Sequence, residues 1–293
     1  MRSRLTGNRI KALAQNYASA KNESRLFSEL RSAKLPRVCY IQYITTMYPV
    51  VVGFNRALIR SLSKVDHVRE WRFVRGLAEQ IRDEQTHNQL WRNMLAAFGV
   101  SHDVIYADFQ SYIARFELEE LDVMTFAVVK AIRGDVADTN PGCFPDATLP
   151  EPVLALYHHM WMAAAYDNVN YWEYFGGQYG MEAIILDVVS TSVLPGVTKH
   201  PGLAPSADAR RWWSQHARTE HSEAPGRTAE EKHVELARLA LNRSSEANSM
   251  AERVVSRADD TMLLFLATAL WHDFNRDSFP IERYLGSARS RTT

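Results

Sequence analysis

Apolar residues return every three to four positions along most of this chain, and sustained two-residue alternation is scarce, so helix is the expected element nearly throughout. The clearest case is the run WRFVRGLAEQIRDEQTHNQLWRNMLAAFGV, residues 71–100. At about 3.6 residues per turn, Phe73, Leu77, Trp91, Met94, Leu95 and Phe98 fall on one face, with Arg75, Arg82, Gln85, Gln89 and Asn93 opposite. The same wheel puts Glu84 in the middle of the apolar stripe, His87 one turn on, and Gln80 one turn before. A buried carboxylate and imidazole need a partner, because an unpaired buried charge costs several kcal/mol or forces the group to neutralise. A metal ion is one such partner.

The remaining elements follow from the same period and from breakers. Residues 8–33 form an amphipathic helix that ends near Leu35-Pro36. Residues 37–62 are apolar on most sides and carry Pro49, which should kink or split them. Ser101 is a candidate N-cap for helix reaching Ile132, broken near the acids ELEELD at 117–122, which read as a solvated face. The Pro, Gly, Asp and Asn of residues 134–152 make a loop, placed where it could cover a pocket. Residues 153–175 should be a helix surrounded by others, interrupted at Gly176-Gly177. A helix from Met181 to Val193 then leads to the loop LPGVTKHPGLAPS, and further helices are expected at 207–223, 228–241 and 259–273. The sum is a single all-α domain of bundled helices. Residues 1–36 read as an N-terminal helical extension, 37–285 as the helical domain and 286–293 as a disordered tail.

Composition narrows the function. With 34 basic and 34 acidic residues among 293, and no block of like charge, nothing marks a nucleic-acid or membrane-surface binder. No apolar run approaches a membrane span and the first residues lack a signal-peptide core, so a cytoplasmic protein is expected. Cys39 and Cys143 lie far apart and form no CxxC pair. The 259–273 face is apolar enough for a core helix or a homodimer contact.

Two further segments repeat the anomaly of Glu84 and His87. In ARRWWSQHARTEHSE, His216, Glu220 and Glu223 are spaced i, i+4, i+7 and would stack on one helical face beside Trp212 and Trp213, with His221 pointing away. In YGMEAIILDVV, Glu182 shares its face with Gln178, Ile185, Leu186 and Val189. Each motif alone fits a hydrogen-bonded structural pair or a solvated face equally well. Three helices aiming carboxylates and imidazoles at one interior form the pattern of carboxylate-bridged di-iron sites.

At these residues the chain resembles the heme-oxygenase-like di-iron oxidases and oxygenases. AEQIRDEQTHNQLWRNMLAAFGV is similar to that family's Glu-and-His helix, WWSQHARTEHSE to its late helix with HxxxDxxH, and Glu182 stands where the family has its mid-chain Glu. The likeness spans about residues 37–223. It departs at Glu220, which replaces the Asp, and at Glu223, which replaces the second His. The resemblance implies a heme-oxygenase-like bundle, related in fold to thiaminase-II-like and PQQ-synthase-like proteins. It implies Glu84, His87, Glu182, His216 and Glu220 as ligands, with Glu223 as a sixth ligand or a supporting group, holding Fe(II), two ions by the family pattern. It also implies O2 as co-substrate and oxidation of a small amino-acid or fatty-acid derivative. Glu79 could take the place of Glu84, though it lies at the edge of the apolar face. His159, Tyr166 and Asn170 share a face of the apolar 153–175 stretch and are candidates to orient substrate, with His159 a reserve ligand. No catalytic residue is assigned. Two other readings stand beside this one: a metal-free enzyme on the same scaffold, thiaminase-II-like or PQQ-synthase-like, or a non-catalytic helical partner protein.

Overall fold

The computed structural model describes residues 5–134, 142–218 and 228–286. Among them there is no strand beyond an isolated bridge between Val100 and Leu285. The first helices are α1 (Thr6–Glu23), α2 (Arg25–Arg31), α3 (Arg37–Thr46) and α4 (Tyr48–Leu62). Pro49 divides α3 from α4, sitting in the first turn of α4 where its missing N–H costs nothing. The long helix α5 (Trp71–Ala97) follows, then α6 (His102–Ile113) and α7 (Leu118–Ile132). Ser101 caps α6 by accepting from the Val104 N–H, and Glu117 with Glu120 closes a capping box on α7. The acids at this break are only partly solvated, because Asp122 accepts from His158.

Two breaks fall elsewhere than expected. Helix α8 (Glu151–Ala165) stops at Tyr166, where Lys64 Nζ donates to the carbonyls of Ala163, Tyr166 and Val169. Asn170 then starts α9 (Tyr171–Val188) with a second capping box, formed with Glu173. Gly176-Gly177 therefore do not interrupt a helix. They let α14 (Ala251–Phe274) approach α9: a Cβ at Gly176 would lie 2.7 Å from Val254 Cγ1, and one at Gly177 2.5 Å from Thr261 Oγ1. The segment expected as loop from Leu194 is also helical. Helix α9 runs through a π turn, Val189–Val193, into α10 (Leu194–Lys199).

The fourth quarter comprises α11 (Ala207–Gln215), α12 (Ala229–Arg243) and α13 (Ser245–Ser249) before α14. Helix α9 is the hub, packed against α14, α1 and α12, while α5 lies against α4, α11 and α12. The segment set apart as an extension joins this core: Ile10, Ala14 and Ala18 of α1 are buried in it. Met262, Leu264, Phe265 and Ala269 are buried too, so the apolar face of α14 is a core face. The rod Tyr171–Lys199 is long and apolar enough to cross a membrane, but most of that stretch is buried inside the protein, the position of a core helix. Residues 287–293 lie outside the described residues.

Candidate metal centre

The buried stripe of α5 runs Phe73, Leu77, Gln80, Glu84, His87, Trp91, Met94. Its three polar members occupy consecutive turns facing α9, α11 and α12. Glu84 and His87 are both buried, whereas Glu79 is exposed and pairs with Arg75 at 3.4 Å, so the choice between the two acids falls on Glu84. Glu182 projects from the middle of α9 and is 2% exposed. His216 is also buried, but it stands at the C-cap of α11, because the helix ends at Gln215 rather than near 223. Beyond it the chain turns onto α9 and the π turn, where the Arg218 N–H donates to Ser190 Oγ (2.8 Å) and its guanidinium to Asp187 (2.7 Å). The i, i+4, i+7 argument thus fails at its first step. Glu220, His221 and Glu223 lie outside the described residues.

Helix α12 supplies what the sequence reading missed. Glu230 and His233, 1% and 5% exposed, enter the same interior. Thr228 fixes their approach by a capping box with Glu231, which sets Glu230 in the first turn. The signal was present in AEEKHVE: Glu230 and His233 have the i, i+3 spacing of Glu84 and His87. Four helices thus bring together Glu84, His87, Glu182, His216, Glu230 and His233.

The geometry is that of donors crowded together without satisfying one another. Ligand atoms of Glu84, Glu182 and His233 all lie within 4.8 Å of one another. His87 Nδ1 is 3.2 Å from Glu84 Oε2, in close contact but without hydrogen-bond alignment. His233 Nδ1 lies 3.7 Å from Glu84 Oε1, and His216 Nε2 lies 3.6 Å from Glu230 Oε2. Outer groups orient these side chains. His216 Nδ1 donates to the Trp212 carbonyl at 2.8 Å, which turns Nε2 inward as an acceptor, and its ring stacks on Trp212 at 3.8 Å. The other nitrogen of His233 faces Asp83 at 3.5 Å, and Gln80 and Gln178 donate to Glu182 Oε1. Glu182 Oε2, Glu230 Oε1, His87 Nδ1 and His233 Nδ1 are left buried without a hydrogen-bond partner.

Electrostatics express the same imbalance. Burial and the nearby charges of Glu182 and Glu84 push Glu230 well above the usual carboxylate range. Burial raises Glu182 to about 7, with Glu84 adding to the rise against His233 and the two glutamines. Burial also opposes the charge on Glu84, yet His87, His233 and His216 together hold it below its ordinary value. His216 falls to about 3 through burial and the neighbouring His87. Three carboxylates are packed where only one is held by charge.

Above the cluster the cavity is apolar, walled by Tyr43, Met47, Phe54, Trp91, Ile185, Val189 and Trp213 among others. His159, Tyr166 and Asn170 do not line it. His159 is buried beside α14, its Nε2 3.5 Å from the Arg257 carbonyl; Tyr166 bonds Asp122, and Asn170 caps α9. They share no helical face, because α8 ends at Ala165. Cys39 and Cys143 are free thiols and neither lines the cavity.

No protein-family model matches the sequence, and no curated protein is similar to it. Solved structures are similar in fold. A TenA homologue from Pseudomonas syringae pv. tomato str. DC3000 superposes with a TM-score of 0.52 at 19% identity, over 89% of this chain and 90% of the other. A TenA homologue from P. horikoshii OT3 gives 0.53 at 14% identity, over 92% and 98%. The chain has the all-α fold of these TenA homologues. The Glu and His residues of α5, α9, α11 and α12 enter the interior between the helices, where helical bundles in general can hold cofactors and metals.

Proposed function

We propose that this protein is a non-heme, metal-dependent oxidase or oxygenase whose metal centre is formed by Glu84, His87, Glu182, His216, Glu230 and His233. The observation that carries the reading is the set of buried polar atoms without partners, on Glu182, Glu230, His87 and His233, all turned into one interior. Native proteins seldom leave such atoms unsatisfied, and a cation pairs them all at once. Three carboxylates and three imidazoles are an oxygen and nitrogen donor set suited to iron, and enough for two ions. Ferrous ions held there would supply electrons for dioxygen reduction and thereby the oxidising equivalents for a small organic substrate. The chain's own part is to neutralise the ions with Glu84, Glu182 and Glu230, to orient His216 and His233 from Trp212 and Asp83, and to keep water out with the apolar wall. The free thiols of Cys39 and Cys143 suit a reducing cytoplasm.

The likeness to TenA homologues favours a second reading, a thiaminase-II-like enzyme that works without metal. It would need a nucleophile at the cavity, and the two cysteines are elsewhere. Anaerobic Fe(II) loading separates the readings. Wild-type protein is expected to hold close to two iron ions per chain, and His87→Ala or His233→Ala to lose at least one. Equal iron content in wild type and both variants would exclude the metal centre.

A further inference from the structure

One amine faces the cavity above the Glu and His cluster. Lys21, in the last turn of α1, is fully buried and is the one lysine or arginine among the described residues that lines this space. Its Nζ donates to the Phe265 carbonyl and to Thr268 Oγ1 (3.3 Å). The rings of Phe265 and Phe27 crowd it, their centres 3.6 and 5.6 Å away. No carboxylate pairs with it among the described residues. Other polar groups nearby are already occupied: His272 bonds Thr46 (2.9 Å), and Asn22 bonds Asp187 (3.0 Å) and Ser192 (2.6 Å).

Lys64 shows how the same protein satisfies an ammonium: its Nζ donates to the carbonyls of Ala163, Tyr166 and Val169, one for each N–H. Lys21 has only two oxygen acceptors. Two acceptors match the two N–H groups of a neutral amine and leave the nitrogen lone pair over. As an ammonium, Lys21 would have only the Phe265 ring for its third N–H, and the attraction of a ring for an ammonium is smaller than the cost of taking that ammonium out of water. Burial accordingly drives the Lys21 pKa well below the ordinary lysine value. Methionine would fill the space as well; what lysine alone brings to a dry cavity is a nucleophilic nitrogen.

We infer that Lys21 is a covalent binding site for a small uncharged aldehyde or ketone, held as an imine in the cavity it shares with the Glu and His cluster. The nitrogen lone pair adds to the carbonyl carbon, the C=O π pair moves to oxygen, and one amine proton follows it to give a carbinolamine. The nitrogen then expels that hydroxyl, which leaves as water with the remaining N–H proton. A C=N bond has replaced the C=O bond, and nothing is oxidised or reduced. Thr268 Oγ1, 3.3 Å from Nζ, is the hydroxyl in reach to pass protons between nitrogen and oxygen. Apolar walls such as Val50, Val188 and Val193 keep out the water that would hydrolyse the imine. They also set the ligand class: with Lys21 consumed, no other lysine or arginine among the described lining residues could pair a carboxylate on the ligand. The site rests on the cavity alone and not on the metal-centre reading.

Reductive trapping on the full-length wild-type protein tests the site without any variant. The protein is incubated at pH 7 with butanal or benzaldehyde, sodium cyanoborohydride and EDTA, and the alkylated lysines are mapped by mass spectrometry of its peptides. With at least one of the two aldehydes, Lys21 is expected to be alkylated tenfold or more faster than the exposed Lys11 and Lys130, and to lose that lead in urea, where the cavity is gone. Lys21 left unmodified by both aldehydes, Lys21 modified no faster than the exposed lysines, or a lead that persists in urea would overturn the inference. Because EDTA removes metal from the experiment, a failed imine site and a failed metal centre give different results: the first leaves iron loading unchanged, and the second leaves trapping unchanged.

Discussion

Among the described residues, two interior clusters that hold histidines and carboxylates differ in how well their hydrogen bonds are met. Between α7 and α8, Asp122 accepts from His158 Nε2 at 2.7 Å and from the Tyr166 hydroxyl at 3.1 Å, so one carboxylate meets two donors and the account closes. Between α5, α9, α11 and α12, three carboxylates meet three imidazoles and two glutamines, and five polar atoms stay unmet, Gln178 Oε1 among them. Residue type does not separate the two clusters, although Asp122 and Tyr166 are only half-buried while the six Glu and His side chains are buried. The ratio of acceptors to donors does: the first cluster is satisfied by folding, and the second leaves polar atoms without hydrogen-bond partners.

The largest effect expected from this contrast is on metal content. Glu84→Ala, which removes the carboxylate that faces both His87 and His233, should abolish iron retention after anaerobic loading and desalting, whereas Asp122→Asn should retain the wild-type amount. Iron lost in both, or in neither, would erase the distinction. Next comes stabilisation by the ion itself. A ligand at 100 times its Kd adds about 2.7 kcal/mol, which for a domain of this size raises Tm by roughly 4–5 °C. Calorimetry should show that rise with Fe(II) in wild type and not in Glu84→Ala.

Smaller effects test the satisfied cluster and the buried lysine. His158→Phe, which strands Asp122, should cost about 1–3 kcal/mol in denaturant unfolding while leaving iron uptake intact. Lys21 has a folded-state pKa below its unfolded value near 10.5, so the unfolded chain binds the extra proton and stability rises as pH climbs toward that value. The titratable groups around it do not offset this: burial, with Lys21 adding, pushes His272 down to about 3, and burial raises Tyr43 above its usual range. Lys21→Met should therefore be the more stable protein at pH 7, by about 1–3 kcal/mol, with the advantage shrinking toward pH 10. A flat difference across that range would mean that the amine is solvated. Smallest of all, Glu79→Ala on the exposed side of α5 should change stability by no more than about 0.5 kcal/mol.

The helical class and most elements were legible because period and breakers are local properties. So were Glu84, His87 and Glu182, whose anomaly is visible within one turn of apolar neighbours. Glu230 and His233 were not picked out, since α12 is polar enough that two more charged residues break no pattern; only the repeat of the i, i+3 spacing marked them. The extension of α11 to 223 failed because its end is set by tertiary contacts of Arg218 with Asp187 and Ser190, which no local signal announces. Gly176-Gly177 misled for a related reason: without the partner helix, a glycine that permits close packing cannot be told from one that breaks a helix. Lys21 was invisible as well, since a single lysine on an amphipathic helix is ordinarily solvated.

The π turn at Val189–Val193 places one backbone residue more than an α-helix would, just where the rod passes Asn22 and the wall of the cavity. Deleting a single residue there would return the rod to a regular pitch and swing everything after it by about 100°, carrying Val193 off the wall while leaving Glu182 untouched upstream. The cavity wall and the Glu and His cluster are thereby set by separate stretches of one helix, and an insertion or deletion of one codon would reshape the former without moving the latter.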